Sequence, residues 1–111
     1  MHFDTSTRNE RLTGSILHCD CLKDDGVTWN KNRTVDLDEL IGDYDGYFDY
    51  KSTHYYEKSK DESLIRERDD EGVEAIKLTA QLLKNDNTYR ERQGVFLHDR
   101  VLNENGTLLP R

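Results

Sequence analysis

At 111 residues, with six Tyr, three Phe and one Trp among 33% hydrophobic and 35% charged residues, the chain reads as one folded domain rather than a disordered segment. A formal net charge of −7 argues against a phosphate-backbone partner, so no nucleic acid is expected. No run approaches the roughly 20 apolar residues of a membrane span and "MHFDTSTRN" lacks the apolar stretch of a secretory leader, so the expectation is no membrane insertion and a cytoplasmic or unconventionally secreted protein.

In chain order, "RNERL" at 8–12 suggests a single helical turn, and "ILHCDCLKDDG" follows with period-2 alternation that puts Leu17, Cys19 and Cys21 on one strand face. Gly26 then supplies the positive φ of a tight reversal. Cys19 and Cys21 match neither a CxxC redox pair nor a zinc pattern, and both are expected to stay reduced; the four His, at 2, 18, 54 and 98, show no metal cluster. His18 next to Cys19 is no catalytic dyad, because successive strand residues point to opposite faces, and no enzyme activity is expected.

"DLDELIG" suggests a second helical turn with Asp36 or Asp38 as N-cap, leading into "DYDG". Placed as an EF-hand with Gly46 at position 6, that stretch puts Ile41 at position 1 and Ser52 at position 12, where calcium needs acids. The calcium reading fails. Further on, "RERDDEGVE" at 66–74 reads as a solvated loop tip between strands, with a short exposed helical turn as its alternative. "IKLTAQLLKNDN" alternates again, with Leu78, Ala80 and Leu82 on one face and Asn87 at the turn.

These elements form a tandem repeat. Trp29, Val35, Leu37, Ile41 and Gly46 match Tyr89, Val95, Leu97, Val101 and Gly106 at a constant separation of 60. Phe3, Thr7, Glu10 and Leu12 match Tyr55, Ser59, Glu62 and Leu64 at 52, so the insertion lies at 66–74. β-branched and aromatic residues with turn signals at short intervals make the chain all-β. Asp-Gly and Asn-Gly are strong hairpin signals, so both triplets, "DYDG" and "NENG", are explicable as turn chemistry alone.

Phe-x-x-Ser-Thr at the start, Leu-x-Cys-x-Cys followed by Asp-Gly, "VDLDELIGDYDGYF" and its echo "VFLHDRVLNENGTL" together resemble the cyanovirin-N homology (CVNH) lectins, in particular the filamentous-fungal members. The resemblance covers nearly the whole chain. It implies one domain with repeats at about 1–52 and 53–111 and two pseudo-symmetric lobes, each a three-stranded sheet plus a β-hairpin, with strands exchanged between repeats. Lobe A would comprise about 1–40 and 99–111, and lobe B about 41–98. Founder-type disulfides would need Cys at positions occupied by Thr7, Ser59 and Leu82, so Cys21 is expected to be a buried small hydrophobe. A monomer is expected; "KSTH" at 51–54 lacks the founder's hinge Pro, which argues against the alternative of a domain-swapped dimer.

The same resemblance implies metal-independent and cofactor-free recognition of oligomannose-type glycans, through α1,2-linked mannose disaccharide units. Carboxylates and amides suit vicinal hydroxyls because they accept, or donate and accept, at adjacent positions. Carried over by position, lobe A would use His2, Thr5, Ser6, Lys23, Asp24, Asn103, Glu104 and Asn105, and lobe B Asp43, Asp45, Thr53, His54, Glu57, Lys58, Lys84, Asn85 and Asn87. Leu22 and Gly42 stand where the family has acidic residues, Lys58 replaces a hydroxyl, and Asn85 replaces an arginine able to clamp the ligand. The alternative is a scaffold or interaction module of the same fold that has lost sugar binding at one or both sites. Sequons at Asn32 and Asn105 require the secretory route to be used, and a glycan on Asn105 would obstruct lobe A, so both are expected to be unmodified.

Overall fold

Alternation builds the two central strands: Leu17, Cys19 and Cys21 on one, and Leu78, Ala80 and Leu82 on the other, are all fully buried. The computed structural model describes residues 2–111. Strands β1 (Thr7–Thr13), β2 (Ile16–Leu22) and β3 (Trp29–Asp36) form one antiparallel sheet, and β4 (Gly42–Tyr44) with β5 (Tyr47–Asp49) form a hairpin. The pattern then repeats as the sheet β6 (Ser59–Arg68), β7 (Glu74–Leu82), β8 (Gln93–Phe96) and the hairpin β9 (Val101–Glu104), β10 (Thr107–Pro110). A 3-10 turn precedes each sheet, at Phe3–Thr5 and Tyr56–Lys58, and each hairpin, at Leu37–Glu39 and Leu97–Asp99. The turn at Leu37–Glu39 is capped as its sequence suggests, the Asp36 side chain accepting from the Asp38 amide.

The other repeat's hairpin packs against each sheet. Asn103 Nδ2, on β9, donates to the Leu22 carbonyl at 3.0 Å, and Asn30 Nδ2, on β3, donates to the Gly106 carbonyl at 3.1 Å. At the other end Phe48 N, on β5, donates to Gln93 Oε1 at 3.2 Å. One apolar core runs through both halves, joining Phe3, Leu17, Leu37, Ile41 and Tyr55 to Ile76, Leu78, Leu97, Val101 and Leu108. The molecule is elongated, 50 × 26 × 22 Å.

Two local expectations are corrected. "RNERL" is no helical turn: it lies in β1, where Arg8 pairs with Asp20 and Arg11 with His18, so Asn9 and Glu10 form a bulge. Asn9 takes φ 56° there and its Nδ2 donates to Asp20 at 2.8 Å. Asp61, 52 residues on, makes the same bulge in β6 at φ 56°. Nor is 66–74 a loop tip throughout. Arg66 pairs with Ile76, Glu67 with Ala75 and Arg68 with Glu74, so the insertion lengthens the β6–β7 hairpin. Its charges hold it as strand, Arg66 reaching Glu10 at 2.8 Å and Lys77 reaching Glu67 at 3.0 Å. Only the reversal is a turn, with the Asp69 carboxylate accepting from the amides of Glu71 and Val73.

Candidate carbohydrate-binding turns

The two Gly-containing triplets adopt one geometry. Asp45 and Gly46 have φ 48° and 85°, and Asn105 and Gly106 have φ 48° and 87°, so both are two-residue hairpin turns with positive φ at each central position. In both, the residue two before the first central position closes the turn: Asp43 Oδ1 accepts from Gly46 N at 2.8 Å, and Asn103 Oδ1 from Gly106 N at 2.9 Å. Glycine is required twice over. A Cβ at Gly46 would stand 2.8 Å from Lys84 Cγ, and one at Gly106 2.5 Å from Asn30 Nδ2.

Each turn is then pinned to the neighbouring sheet's β-hairpin. Asn105 Oδ1 accepts from the Asp24 amide at 3.0 Å, and Asp45 Oδ1 from the Asn85 amide at 2.9 Å. Those receiving loops also match: Lys23 N bonds Thr28 O and Lys84 N bonds Thr88 O, each at 2.8 Å, and Asn87 reverses its loop at φ 67° where Gly26 has 74°. In the first loop the Thr28 hydroxyl, with the Thr28 and Val27 amides, holds the Asp25 carboxyl down at about 2.

In the first group, Asp24, Glu104 and Asn105 are exposed beside half-buried Lys23, leaving two carboxylates and an amide NH2 open to solvent. Asn103 is buried and spent within the fold, its Nδ2 donating to the Ser6 carbonyl and hydroxyl and to Leu22 O. Ser6 is buried as well, donating to the His2 carbonyl at 2.6 Å, whereas the exposed Thr5 hydroxyl makes a long 3.4 Å bond to that same carbonyl. The His2 ring meets His98 edge-on, centroids 5.6 Å apart.

In the second group, Asp43 and Asp45 are half-buried next to Lys84, Asn85 and Asn87. Burial pushes the Asp43 carboxyl up, although the Gly46 amide and the Lys58 charge pull it back. Lys84 Nζ lies 3.8 Å from Asp86. Glu57 and Lys58 are exposed on the 3-10 turn Tyr56–Lys58, and Thr53 is exposed just before it. His54, at φ 69°, directs Nδ1 to Asp38 Oδ2 at 3.1 Å, so its ring is already engaged. Gly42 has no room for a side chain, because a Cβ there would lie 2.0 Å from Ser52 Oγ and 2.7 Å from the Thr53 amide nitrogen.

Sequence reasoning missed three residues around this second turn. Arg90 Nη2 donates to the Asp45 carbonyl at 2.9 Å while its guanidinium lies over the Tyr47 ring at 3.9 Å, and Gln93 Nε2 donates to the Gly46 carbonyl. Tyr47, Arg90 and Gln93 line an open pocket of about 300 Å³ with Glu91 and Arg92. The signal was available in the repeat, since Arg90 occupies the position of Asn30, whose side chain donates to the Gly106 carbonyl at the other turn.

The fold also brings together residues that looked scattered: His2, Asp4 and His98 lie with their donor atoms within 4.8 Å of one another.

The model of the CVNH domain matches residues 3–109. The chain belongs to the CVNH family. Among solved structures, a CVNH protein of Gibberella zeae shares 30% identity over 96% of this chain and 94% of its own, with TM-score 0.78. That of T. borchii shares 34% over the full length of both, with TM-score 0.79. A designed cyanovirin-N homolog lectin superposes at TM-score 0.82 with 28% identity, again over all of both chains. No curated protein matches the chain. Membership in the CVNH family explains why its sheets and hairpins double and why two equivalent turns face two equivalent loops.

Proposed function

We propose that this CVNH protein is a lectin that binds mannose-containing glycans at the two turns, with α1,2-linked mannobiose as the unit recognised and no metal required. The observation that carries the reading is the repeated geometry. In each turn the first triplet residue closes the turn and one side-chain oxygen of the third is taken by the facing loop, while Glu104 and Asn105 at the first turn, the outer face of Asp45 at the second, and each loop's Lys and acid or amide stay accessible. Such an array offers acceptors and donors to a sugar's hydroxyls, and each hydrogen bond to sugar replaces one to water. Solved proteins of this fold add support: microvirin is known in complex with mannobiose, and a MoCVNH3 variant in complex with (N-GlcNAc)4.

At the first turn Asp24, Glu104, Asn105 and Lys23 make the contacts, and Asn103 and Ser6 hold the turn in place. At the second, Asp45, Asn85 and Lys84 make them, with Arg90 and Tyr47 at the rim. The missing acid at Gly42 favours a second reading for that turn alone, in which the hairpin is scaffold and does not bind sugar. Occupation of the first turn needs Asn105 free of glycan, which residence outside the secretory route would ensure; intact-mass measurement of the endogenous protein tests this.

Two alanine variants test the reading. Asp45→Ala should weaken the second site only and Asn105→Ala the first only. Each lost sugar hydrogen bond is worth about 0.5–1.5 kcal/mol, so a truncated site should weaken by roughly threefold or more. Unchanged mannobiose affinity in both variants would reduce the two triplets to turn chemistry.

A further inference from the structure

We infer that His2, Asp4 and His98 form a binding site for one divalent transition-metal ion, zinc being the best fit, separate from the sugar-binding turns. The Asp4 side chain is fully buried, and among the described residues no Lys or Arg pairs with its carboxylate. Oδ1 is fixed by the Ile76 amide at 2.8 Å, which leaves Oδ2 facing two imidazoles. His98 Nδ1 lies 2.7 Å from Oδ2 and His2 Nδ1 3.5 Å from it. A buried carboxylate needs positive charge or donors at both oxygens, and here Oδ2 has only the His98 Nδ1–H at hydrogen-bond distance, with the His2 ring nitrogen as its other neighbour.

The two His–Asp4 distances can be compared with coordination geometry, while the two imidazoles, whose ligand atoms lie within 4.8 Å, would have to close on the ion. Bonds of about 2.0–2.1 Å at tetrahedral angles place ligand atoms about 3.3 Å apart. The His2 to Asp4 separation already has that size. His98 would need to withdraw by roughly 0.6 Å, exchanging its Nδ1 proton, which is released to solvent, for the ion. His2 Nδ1 now accepts a long 3.3 Å bond from the Asp4 amide, so its lone pair is free of a proton and would turn from that weak cap contact to the ion. The Ile76 amide orients the ligating carboxylate, as the outer contacts of metal sites commonly do. Three protein ligands leave a fourth position for water, and two imidazoles with one carboxylate select zinc, copper, nickel or cobalt over calcium and magnesium.

The surroundings favour a cation. Beyond His98 opens a pocket of about 170 Å³ lined by Asp69, Asp70, Glu71 and Asp99, and His98 Nε2 stands 3.5 Å from Asp99. This acidic mouth concentrates cations at the cluster's entrance. The first repeat supplies His2 and Asp4 and the second His98, so the site would tie the N-terminal 3-10 turn to that at Leu97–Asp99 across the molecule's repeat boundary.

Calorimetric titration of ZnCl2 into the full chain, with imidazole resonances followed in parallel, decides it. The expected result is one ion per chain at micromolar affinity, with the His2 and His98 rings shifting and those of His18 and His54 unmoved. His2→Ala, which also removes the ring's cap on the Asp4 amide and is therefore checked for an unchanged urea-unfolding midpoint, should weaken binding at least tenfold, while His18→Ala should match wild type. Absence of stoichiometric binding at millimolar zinc, or wild-type affinity in His2→Ala, would overturn the site and leave a plain Asp–His pair. Unchanged mannobiose affinity with zinc present is expected in either case, so this outcome is independent of the lectin reading.

Discussion

Replacing Asn103 by Ala tests how the C-terminal hairpin is joined to the first sheet. The Asn103 carboxamide is 3% exposed and makes four contacts, accepting from Gly106 N and donating towards Ser6 O, Ser6 Oγ and Leu22 O. Alanine removes them all and orphans the Gly106 amide within a buried turn. An unsatisfied buried group costs about 1–3 kcal/mol and the lost amide contacts about 0.5–1.5 more, so a loss of about 2–4 kcal/mol is expected. The matching change, Asp43→Ala, orphans Gly46 N in the same way, but Asp43 is half-exposed, makes only that bond, and bears a carboxylate that burial disfavours. Its loss should be about 1–2 kcal/mol. Urea unfolding followed by tryptophan fluorescence measures both, because Trp29 begins β3 in the affected sheet. An Asn103→Ala cost no larger than that of Asp43→Ala would show that the hairpin is not held through this amide.

Three further outcomes follow from buried groups. Tyr55 occupies the place of Phe3 in the repeat and its hydroxyl is buried without a partner, so Tyr55→Phe should stabilise by about 1 kcal/mol in the same unfolding assay; destabilisation would reveal a partner for the hydroxyl. Gly42→Ala should cost about 1–3 kcal/mol or more, since its Cβ would meet backbone at 2.7 Å, and a neutral result would show that 52–53 can shift to admit a side chain. Asp20 is held below the ordinary carboxylate value by the Asn32 amide and then by Asn9, so the stability it lends is present above about pH 4 and is lost as pH falls through its depressed folded value. Asp20→Asn should therefore flatten the acid limb of a stability–pH curve, and an unchanged limb would place the sensitivity elsewhere.

The sequence carried the architecture because its repeat keeps register at Ile41 and Val101, Leu37 and Leu97, Gly46 and Gly106, and each pair is buried in equivalent places. Alternation over 17–21 and 78–82 was equally legible, since both strands are buried on the face it marks. Where it misled, a local feature imitated another element. Asn9 at positive φ lets a strand bulge, so "RNERL" lost its alternation and looked helical, and the charges of 66–68 lie on a paired strand, where Arg66 reaches Glu10 of the other sheet and Glu67 reaches Lys77.

The turns were recognised from Asp-Gly and Asn-Gly, but their inner members could not be told from their outer ones. Whether an amide faces solvent or a carbonyl depends on the other repeat, as Asn103 and Ser6 show. Arg90 and Gln93 are remote from the second turn in sequence and reach it only through the exchange of hairpins. The same exchange assembles His2, Asp4 and His98, which no spacing along the chain could suggest.

The most direct test of the lectin account is a titration of α1,2-mannobiose into the isotopically labelled, metal-free chain, followed through backbone amide resonances. The account predicts saturable shifts at Asp24, Asn105 and Gly106 and at Asp45, Gly46 and Asn85, with millimolar to micromolar affinity as expected for an open polar site. A chain folded as described whose amides do not move at saturating sugar would contradict it.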